Sequence, residues 1–378
     1  MNQTPGRRIW LRFKRNRFAL AGLLFVILSL IISICGYLIM PDDTPQANNM
    51  MLQLSIKKPG SAFTILKMQK QQHVDTLNVF EKMLFGQPSA YNQLPVSSFR
   101  FAGDSIMVRE YIGDEEEAEE VGYSLTSVTG KRMSSNMAHA EYVRTNNIEQ
   151  RYFWLGTDIY GRDLLSRLIL GIRVSLAVGI LAVFVSLLIG ITLGALAGYF
   201  GGITDKIISW LMNVVWSLPA LLLVIAISFA LGKGFWQIFI AVGLSMWVEV
   251  ARLVRGQILA LKHIEFVEAA KAMGFSHARI IIKHILPNIA GPILVAASAN
   301  FASAILLEAG LSFLGFGAQP PVPTWGAMIR EHYGYIIIDA AYLAILPGLA
   351  IMLMVYAFNL LGVGLRDAFD VKAPNTNV

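Results

Sequence analysis

Cysteine is almost absent from this 378-residue chain, in which Cys35 stands alone. A single thiol excludes a disulfide within the chain and says little about the compartment in which the protein folds. Histidine offers no better framework for a metal, because His263, His277 and His284 lie in a basic segment without thiols or clustered carboxylates. The sequence therefore predicts neither a disulfide scaffold nor a metal site.

Charge is also scarce. Charged residues make up 15% of the chain, whereas an average soluble domain carries about 25%, and hydrophobic residues make up 55%. The charges avoid several apolar runs of about 20 residues, which suit a bilayer span and are rarely needed in a buried soluble helix. The chain is therefore predicted to be an integral membrane protein. Its net charge of +6 favours contact with a membrane surface rather than with nucleic acid.

A phosphate-binding loop of the form Gly-x-x-x-x-Gly-Lys-Ser/Thr is absent from the sequence. Gly232-Lys233-Gly234 is predicted to be a short turn between two spans, which is the wrong context for nucleotide binding. We therefore expect no nucleotide chemistry and no enzymatic activity of this chain.

Six apolar runs are long enough to form membrane-spanning helices. The first ends at Pro41 and is too long and uninterrupted for a signal peptide, so it is predicted to be a retained helix. The predicted fold class is all-α and polytopic, with six transmembrane helices. The runs cover residues 19–40, 174–200, 207–231, 235–254, 291–311 and 341–363.

Acidic residues are missing from the N-terminal segment before the first span, whereas basic ones are frequent there. This excess of positive charge places the N-terminus in the cytoplasm, and six crossings return the C-terminus and its tail, 371–378, to the same side. The segment 256–291 is then cytoplasmic and 41–173 lies outside. The predicted location is the bacterial cytoplasmic (inner) membrane. The basic residues are Arg7, Arg8, Arg12, Lys14, Arg15 and Arg17.

A polar stretch separates the first span from the others, and it divides the chain into residues 1–40, an extracytoplasmic insert over 41–153, a core with five spans over 154–370, and the tail. Two segments have the composition of strands, so the insert is predicted to be small, α/β or β, and partly disordered. Its acidic cluster is predicted to be a solvated loop, with a cation-binding or docking surface as the alternative. The strand-like segments are Phe99-Arg100-Phe101 and Ser105-Ile106-Met107-Val108, and the acidic cluster is Asp114, Glu115, Glu116, Glu117, Glu119 and Glu120.

Small residues and a proline stand out within the predicted spans. Gly190, Gly194 and Gly198 recur every four residues and indicate a packing seam, either with a partner subunit or with a neighbouring helix. Ordinary glycine enrichment in membrane helices is the alternative. Pro219 should kink the third span. Glu249 is expected to form a local ion pair with Arg252, one turn later on the same helix.

The segment 256–291 is too hydrophilic to span the membrane and has a helical pattern. Glu268-Ala269-Ala270 favours a helix, and Gly274 is placed to end it in a left-handed conformation. A second short helix is predicted over 276–285, stopping near Pro287. The result would be a helix–turn–helix that presents side chains to a soluble partner.

These residues resemble the EAA loop of the permeases of binding-protein-dependent ABC importers, in which the loop forms coupling helices that insert into a groove of the ATPase subunit. Gly274 and Leu286-Pro287 have the family spacing, and His284 stands where the oligopeptide branch often has histidine. We therefore name residues 256–291 the coupling segment. The resemblance implies that Glu268 contacts the ATPase or caps its helix, that small residues permit close docking, and that Leu286-Pro287 fix the helix end. The implied ATPase-coupling residues are Glu268, Ala269, Ala270, Gly274, His284, Leu286 and Pro287.

Two further blocks resemble the second permease type of dipeptide and oligopeptide importers. One runs from Leu155 to Arg167 and is followed by Gly171 to Leu176, and the other begins at Glu308 and continues to Gly326. For Trp325, docking to a binding protein and a rigid structural turn are both open. The resemblance covers 154–370 and the N-terminal helix, and not the insert. The implied outer-face motif residues are Gly156, Thr157, Asp158, Gly161, Arg162, Asp163, Glu308 and Trp325.

The resemblance implies a type I ABC importer permease fold and a role as half of the pathway for di- and oligopeptides. The implied partners are a second homologous permease, two ABC ATPase subunits that carry ATP and Mg, an extracytoplasmic solute-binding protein and the lipid bilayer. This chain would bind no cofactor and no nucleic acid.

Three alternatives stay open at the level of sequence. The first is a permease of this branch whose substrate is a nickel chelate or a modified peptide instead of a simple peptide. An ion-gradient-driven transporter is less favoured, because no internal duplication and no mid-span acids are evident. A membrane-anchored sensor would leave the cytoplasmic helix pair without a role.

Overall fold

The structure, a computed structural model, describes residues 5–72, 74–113, 118–133, 135–232 and 235–369. It begins with α1 (Pro5–Arg15) and α2 (Arg17–Ile39). Asn16 separates the two helices and caps the second, because its side-chain oxygen accepts a hydrogen bond from the Ala19 N–H at 3.1 Å. Helix α2 confirms the helix predicted over 19–40. The predicted tail 371–378, the acids at 114–117 and the dipeptide 233–234 lie outside the described residues.

The insert contains one five-stranded antiparallel sheet in the order β4-β3-β2-β1-β5. Leu66, Ile106, Leu125 and Val143 belong to one buried cluster, so the helices that follow β4 pack on the sheet. Both predicted strand segments are confirmed, because they lie in β2 and β3. The elements are β1 (Ser61–Gln69), α3 (Val79–Phe85), β2 (Tyr91–Ala102), β3 (Ser105–Glu110), β4 (Glu120–Ser124), α4 (Leu125–Thr129), α5 (Asn136–Asn146) and β5 (Ile148–Phe153).

The acidic cluster is only partly a loop. Glu120 is the first residue of β4, and its carboxylate accepts hydrogen bonds from the Arg100 guanidinium at 2.6 and 2.7 Å. The neighbouring guanidinium lowers the pKa of Glu120. The solvated-loop prediction is therefore wrong for this residue, which pairs with Arg109 of β3 and whose side chain reaches Arg100 on the strand beyond, β2.

Four helices follow the insert: α6 (Leu164–Phe200), α7 (Gly202–Trp216), α8 (Ala220–Leu231) and α9 (Phe235–Leu261). Helix α6 contains the predicted span 174–200 and begins ten residues earlier, directly after Asp163, so that it carries Arg167 and Arg173 within its first three turns. Both arginines have partners inside the protein, so their charge does not end the helix.

The predicted third span is not a single kinked helix. Helices α7 and α8 are bent by 97° at a break that includes Pro219. Proline lacks the N–H that would continue α7, and it sits directly before the first turn of α8, where that N–H is not needed. Among the described residues, five helices are long and apolar enough to cross a membrane, or six if the bent pair is one span.

The coupling segment departs from its predicted end. Helix α9 extends to Leu261 and is followed by α10 (Glu265–Ala272) and α11 (His277–Arg279). The helical backbone then runs through a π turn over Ile280–Ile285 and a 3₁₀ turn over Leu286–Ile289 into α12 (Ala290–Phe313). The prediction that a second helix stops near Pro287 is wrong, because the proline occupies the start of the 3₁₀ turn, where its missing N–H is tolerated.

The chain closes with α13 (Trp325–His332) and α14 (Tyr342–Phe369). Helix α14 packs between α12 and α2, and Phe301 stacks on Phe358 with ring centroids 3.7 Å apart. Asn16 also donates to Asp367 at 3.1 Å, which ties the start of α2 to the end of α14. The N- and C-terminal ends of the described core therefore meet on one side.

The glycine seam lies within this chain. A Cβ on Gly190 would come within 2.5 Å of Val250, one on Gly194 within 2.5 Å of the Ala251 carbonyl oxygen, and one on Gly198 within 3.0 Å of the Arg255 carbonyl oxygen. All three neighbours are on α9, so the glycines let the backbones of α6 and α9 approach closely. The prediction of a seam with a neighbouring helix is confirmed.

The predicted ion pair between Glu249 and Arg252 is not formed. Arg252 donates to the Asn213 side chain at 2.9 Å, and its guanidinium lies 4.5 Å from the centre of the Trp216 ring. Both partners are on α7, and Glu249 points away from the interior on the exposed side of α9. Arg252 therefore joins α9 to α7.

We predict opposite effects on stability for alanine substitutions at a glycine of this seam and at a glycine outside it. Gly194→Ala should lower the stability of the purified protein by about 1–3 kcal/mol, because the new methyl group meets backbone that must move. Gly256→Ala is the matched control on α9, where a Cβ meets nothing within 4 Å, and it should raise stability by about 0.5–1 kcal/mol. Thermal unfolding in one detergent compares them. Equal melting temperatures would show that the seam is not tightly packed.

Candidate functional site

The predicted site residues fall into three separate groups. The glycine seam holds α6 against α9, the coupling segment lies at one end of the core, and the motif residues gather where α6 begins. Only the coupling segment presents most of its predicted residues to the surroundings.

Helix α10 ends in a hydrogen-bonded glycine turn. Gly274 has φ +75°, its N–H bonds to the Lys271 carbonyl at 2.9 Å, and the Phe275 N–H bonds to the Ala270 carbonyl at 3.2 Å. This pair of bonds is the Schellman arrangement, which satisfies carbonyl groups left open at a helix end. The predicted left-handed conformation of Gly274 is confirmed.

The two alanines of the coupling segment face opposite ways. Ala270 is 1% exposed and clusters with Val267, Ile280 and Ile285, so it permits close packing within this chain and not docking of a partner. Ala269 is exposed. The docking role predicted for Ala270 is therefore wrong. The sequence signal was the spacing of three residues between Val267 and Ala270, which places both on one face of the helix.

Glu268 does not cap α10. Ile264 is the N-cap residue, no side chain bonds to the cap, and Glu268 stands four residues later with its side chain exposed. Its charge in the first turn still complements the helix dipole. Of its two predicted roles, contact with a partner is the one that the geometry allows.

His284 and the Leu286-Pro287 pair complete the predicted set. His284 is half-buried and stacks on Phe275 with centroids 5.7 Å apart, which fastens the turn after Gly274 to the π turn. Leu286 is half-buried and Pro287 is exposed. These residues shape the passage into α12 and do not end a helix.

The coupling segment is fastened to the end of α6. The Tyr199 hydroxyl lies 3.0 Å from His277 Nδ1, and the Lys271 ammonium lies 5.8 Å from the centre of the Tyr199 ring. Sequence reasoning missed Tyr199, since nothing local links the end of α6 to residues more than seventy positions later. These contacts join α10 and α11 to the end of α6, and the helical backbone is continuous from His277 to the end of α12.

The motif residues before α6 form a buried ion network, which we call the junction. The Asp158 carboxylate accepts hydrogen bonds from the Arg162 side chain at 2.6 Å and from the backbone N–H groups of Tyr160 and Arg162 at 2.8 and 3.0 Å. Arg162 also donates to Glu331 at 3.0 Å, and Arg167 lies 3.6 Å from Asp158. The junction therefore ties the α6 start to α13.

Close backbone contacts explain the glycines and the threonine of this block. Gly161 has φ +71°, and a Cβ there would lie 1.8 Å from the Met51 carbonyl oxygen. A Cβ on Gly156 would lie 2.3 Å from the Lys57 carbonyl oxygen. Thr157 donates to the Leu54 carbonyl at 2.5 Å. These residues pack the junction against the chain that follows α2.

Asp163 caps α6. Its carboxylate accepts hydrogen bonds from the Ser166 N–H at 2.8 Å and the Ser166 hydroxyl at 2.5 Å, and the Ser166 hydroxyl accepts one from the Asp42 N–H at 2.9 Å. Burial raises the pKa of both Asp163 and Asp42. Hydrogen bonds from Ser166 oppose the rise at Asp163, and hydrogen bonds from Thr44 and Asn49 oppose it at Asp42.

Glu308 and Trp325 are both 1% exposed. The Trp325 indole donates to the Leu168 carbonyl at 3.1 Å and packs against Gly171, and Glu308 accepts from Ser312 at 2.6 Å. Of the two roles left open for Trp325, the structural one fits and docking to a binding protein does not, because the ring is enclosed by α6.

Asp158, Glu331 and His332 bring three possible metal-ligand atoms within 4.8 Å of one another. Two of them already accept from Arg162, and Arg167 adds a second positive charge. His332 Nδ1 must donate to the Met328 carbonyl, 2.6 Å away, and burial lowers the pKa of this imidazole. The guanidinium groups supply the positive charge in this cluster, so its geometry is that of an ion network.

Sequence reasoning did not select several polar residues of this region, among them Arg167, Glu331 and Arg173. Each finds its partner through tertiary contact, with Glu331 more than 160 positions from Arg162. The sequence signal was the crowding of arginines at one helix end, which is costly in a membrane unless each charge is partnered.

Two family models match the chain. Residues 190–373 match the binding-protein-dependent transport system inner membrane component, and residues 4–55 match the N-terminal TM domain of oligopeptide transport permease C. Most of the insert, from residue 56 onward, lies outside both ranges.

Curated relatives agree with these matches. The glutathione transport system permease protein GsiD of Pectobacterium atrosepticum is 46% identical over 232 residues, which are 61% of this chain and 77% of the relative. The dipeptide transport system permease protein DppC of Alkalihalophilus pseudofirmus is 44% identical over 219 residues, which are 58% and 72%. Among solved structures, the inward-facing MetNI methionine ABC transporter aligns with 20% identity and a TM-score of 0.46, covering 55% of this chain and 97% of that chain. The chain therefore belongs to the family of binding-protein-dependent transport system inner membrane components, the permease subunits of ABC importers.

Proposed function

We propose that this permease carries small peptides, and that it forms half of their path through the membrane. The observation that carries the proposal is the identity of 44–46% to permeases whose names assign them a dipeptide and the tripeptide glutathione. The match over residues 4–55 to the N-terminal domain of an oligopeptide permease supports the same substrate class.

The proposed assembly has a second homologous permease, two ABC ATPases and an extracytoplasmic solute-binding protein. ATP and Mg would be bound by the ATPases. The proposed fold of the core is that of type I importers, with six spans and with the bent pair α7–α8 counted as one. Basic residues on α1 support a cytoplasmic N-terminus. Because Asn16 contacts Asp367, the C-terminal end of α14 lies on the same side of the membrane in this proposal.

The coupling segment supplies the mechanical step. An ATPase groove would receive the exposed side of α10, including Glu268 and Ala269, while Val267 and Ala270 hold that helix to the permease. Closure of the ATPase dimer would displace α10, and the continuous helix from His277 to Phe313 would carry the displacement into the membrane. ATP drives the change because it binds one conformation of the ATPases more tightly than the other.

Reconstitution tests this function directly. The whole assembly in vesicles should accumulate labelled dipeptides or glutathione with external binding protein and internal ATP, and not with ADP. A nickel chelate is the competing substrate, and an imposed ion gradient without ATP is the competing energy source. Uptake of the chelate alone would refute the peptide assignment, and gradient-driven uptake without ATPases would refute the importer mechanism.

A further inference from the structure

Helix α3 of the insert presents an apolar surface that no described residue covers. Its large apolar side chains Val79, Phe80, Leu84 and Phe85 are each more than half exposed, and Phe80 reaches 77%. Four such residues on a seven-residue helix form a continuous apolar patch, which soluble surfaces rarely carry without a partner.

Both charged residues of α3 are engaged locally. Glu81 accepts a hydrogen bond from the Asn78 N–H at 3.0 Å, as part of a capping box. Lys82 pairs with Asp43 at 2.7 Å. Their charges are thus held at the start of the helix and beside the chain after α2.

Arg173 fixes the level of α3 against the membrane-spanning core. One guanidinium donates to the Ser33 and Ile34 carbonyls of α2 at 2.8 and 3.2 Å, and to the Met83 and Leu84 carbonyls of α3 at 2.8 and 2.9 Å. Ser33 and Ile34 precede the end of α2 by more than one turn, about 8 Å along its axis. The end of α3 therefore lies at the level of the last turns of a membrane-spanning helix.

The segment after α3 is held in the same position. A Cβ on Gly86 would lie 2.7 Å from the Tyr37 ring, and the Gln87 N–H donates to the Asp43 carbonyl at 2.8 Å. Helix α3 is thus fastened beside α2 and is not free to fold onto the sheet.

We infer that α3 is an interfacial anchor, which inserts its apolar side chains among the lipid acyl chains of the leaflet at the C-terminal end of α2. The exposed face of α2 at this level is itself apolar, with Ile31, Ile34 and Leu38 exposed, and α3 continues that lipid-facing surface. Short amphipathic helices bind membranes in this way, with the apolar face about 5–10 Å below the headgroup boundary. The anchor fixes the sheet of the insert close to the membrane surface.

Site-directed spin labelling tests the anchor independently of transport. In a Cys35→Ser background, Phe80→Cys or Phe85→Cys carries the nitroxide, and the full chain is reconstituted with its associated subunits in phosphatidylcholine–phosphatidylglycerol vesicles. Frequent collisions of the nitroxide with oxygen show that it is exposed to lipid, and frequent collisions with a water-soluble nickel complex show that it is exposed to water. The controls are Ile31→Cys on the exposed face of α2 and Met137→Cys on α5, where the native side chain is 86% exposed.

The anchor predicts that both α3 labels resemble the α2 control, with an oxygen-to-nickel ratio severalfold above that at position 137. Nickel collisions as frequent as at position 137 would place α3 in water and overturn the inference. Low collision rates with both reagents would overturn it as well, because they would show that a protein surface covers α3.

Discussion

Replacing Arg162 with methionine should destabilise the permease by about 3–5 kcal/mol, the usual cost of removing one partner of a buried ion pair. The guanidinium is 3% exposed and bonds to Asp158 at 2.6 Å and to Glu331 at 3.0 Å. Methionine fills a similar volume but leaves the fully buried Asp158 carboxylate with Arg167 at 3.6 Å as its nearest cation. We expect the melting temperature in detergent to fall by roughly 5 °C, by the usual relation between unfolding free energy, chain length and melting temperature.

Two further variants separate this effect from a general loss of arginine. Arg100→Met removes an arginine whose pair with Glu120 is at the surface, and it should leave the melting temperature nearly unchanged. Asp158→Asn added to Arg162→Met removes the buried charge while the amide oxygen still accepts from the backbone, and it should restore part of the loss. If Arg162→Met and Arg100→Met have the same melting temperature, the junction does not stabilise the core.

The membrane helices were predictable where their apolar runs are uninterrupted. Helices α2, α12 and α14 cover the predicted runs to within one residue, because about 20 predominantly apolar residues have few stable alternatives. The start of α6 was not predictable in the same way. In the sequence, the charge of Arg173 indicates a residue outside a span. Its partners are carbonyl groups of Ser33 and Leu84, which are far away in the chain and cannot be identified from local sequence.

The break at Pro219 shows another limit. A proline predicts that a helix bends, but it does not predict the size of the angle, which is 97° between α7 and α8. In the same way, the motif before α6 identified Asp158 and Arg162, whereas their common partner Glu331 became evident only when α13 was placed beside α6. Local chemistry can be read from the sequence, and long-range partners cannot.

Within the coupling segment, the end of α10 was predicted because its signal is local. A glycine after a run of helix formers predicted the left-handed turn, and the structure has it at Gly274. The continuation of the helix past Pro287 was missed, because the backbone there consists of a π turn and a 3₁₀ turn, and no local sequence pattern predicts a π turn.

Replacing Gly274 with valine should reduce ATP-driven peptide uptake by about tenfold or more, while membrane insertion stays normal. Left-handed backbone costs a residue with a Cβ about 1–2 kcal/mol, and a β-branched residue suffers most, so the native turn after α10 would be depopulated. A Cβ at this position meets nothing within 4 Å, so the substitution acts on the backbone and not through a clash within the chain.

Gly274→Asn is the matched control, because asparagine adopts the left-handed conformation far more readily and has a side chain of similar size. If the turn itself matters, the asparagine variant retains most of the uptake that the valine variant loses. If both variants lose uptake equally and the ATPases no longer copurify, the space at Gly274 is needed by the docked partner. Normal uptake by the valine variant would mean that the angle between α10 and α11 does not transmit the force of ATP binding, and the coupling role proposed for this segment would have to be given up.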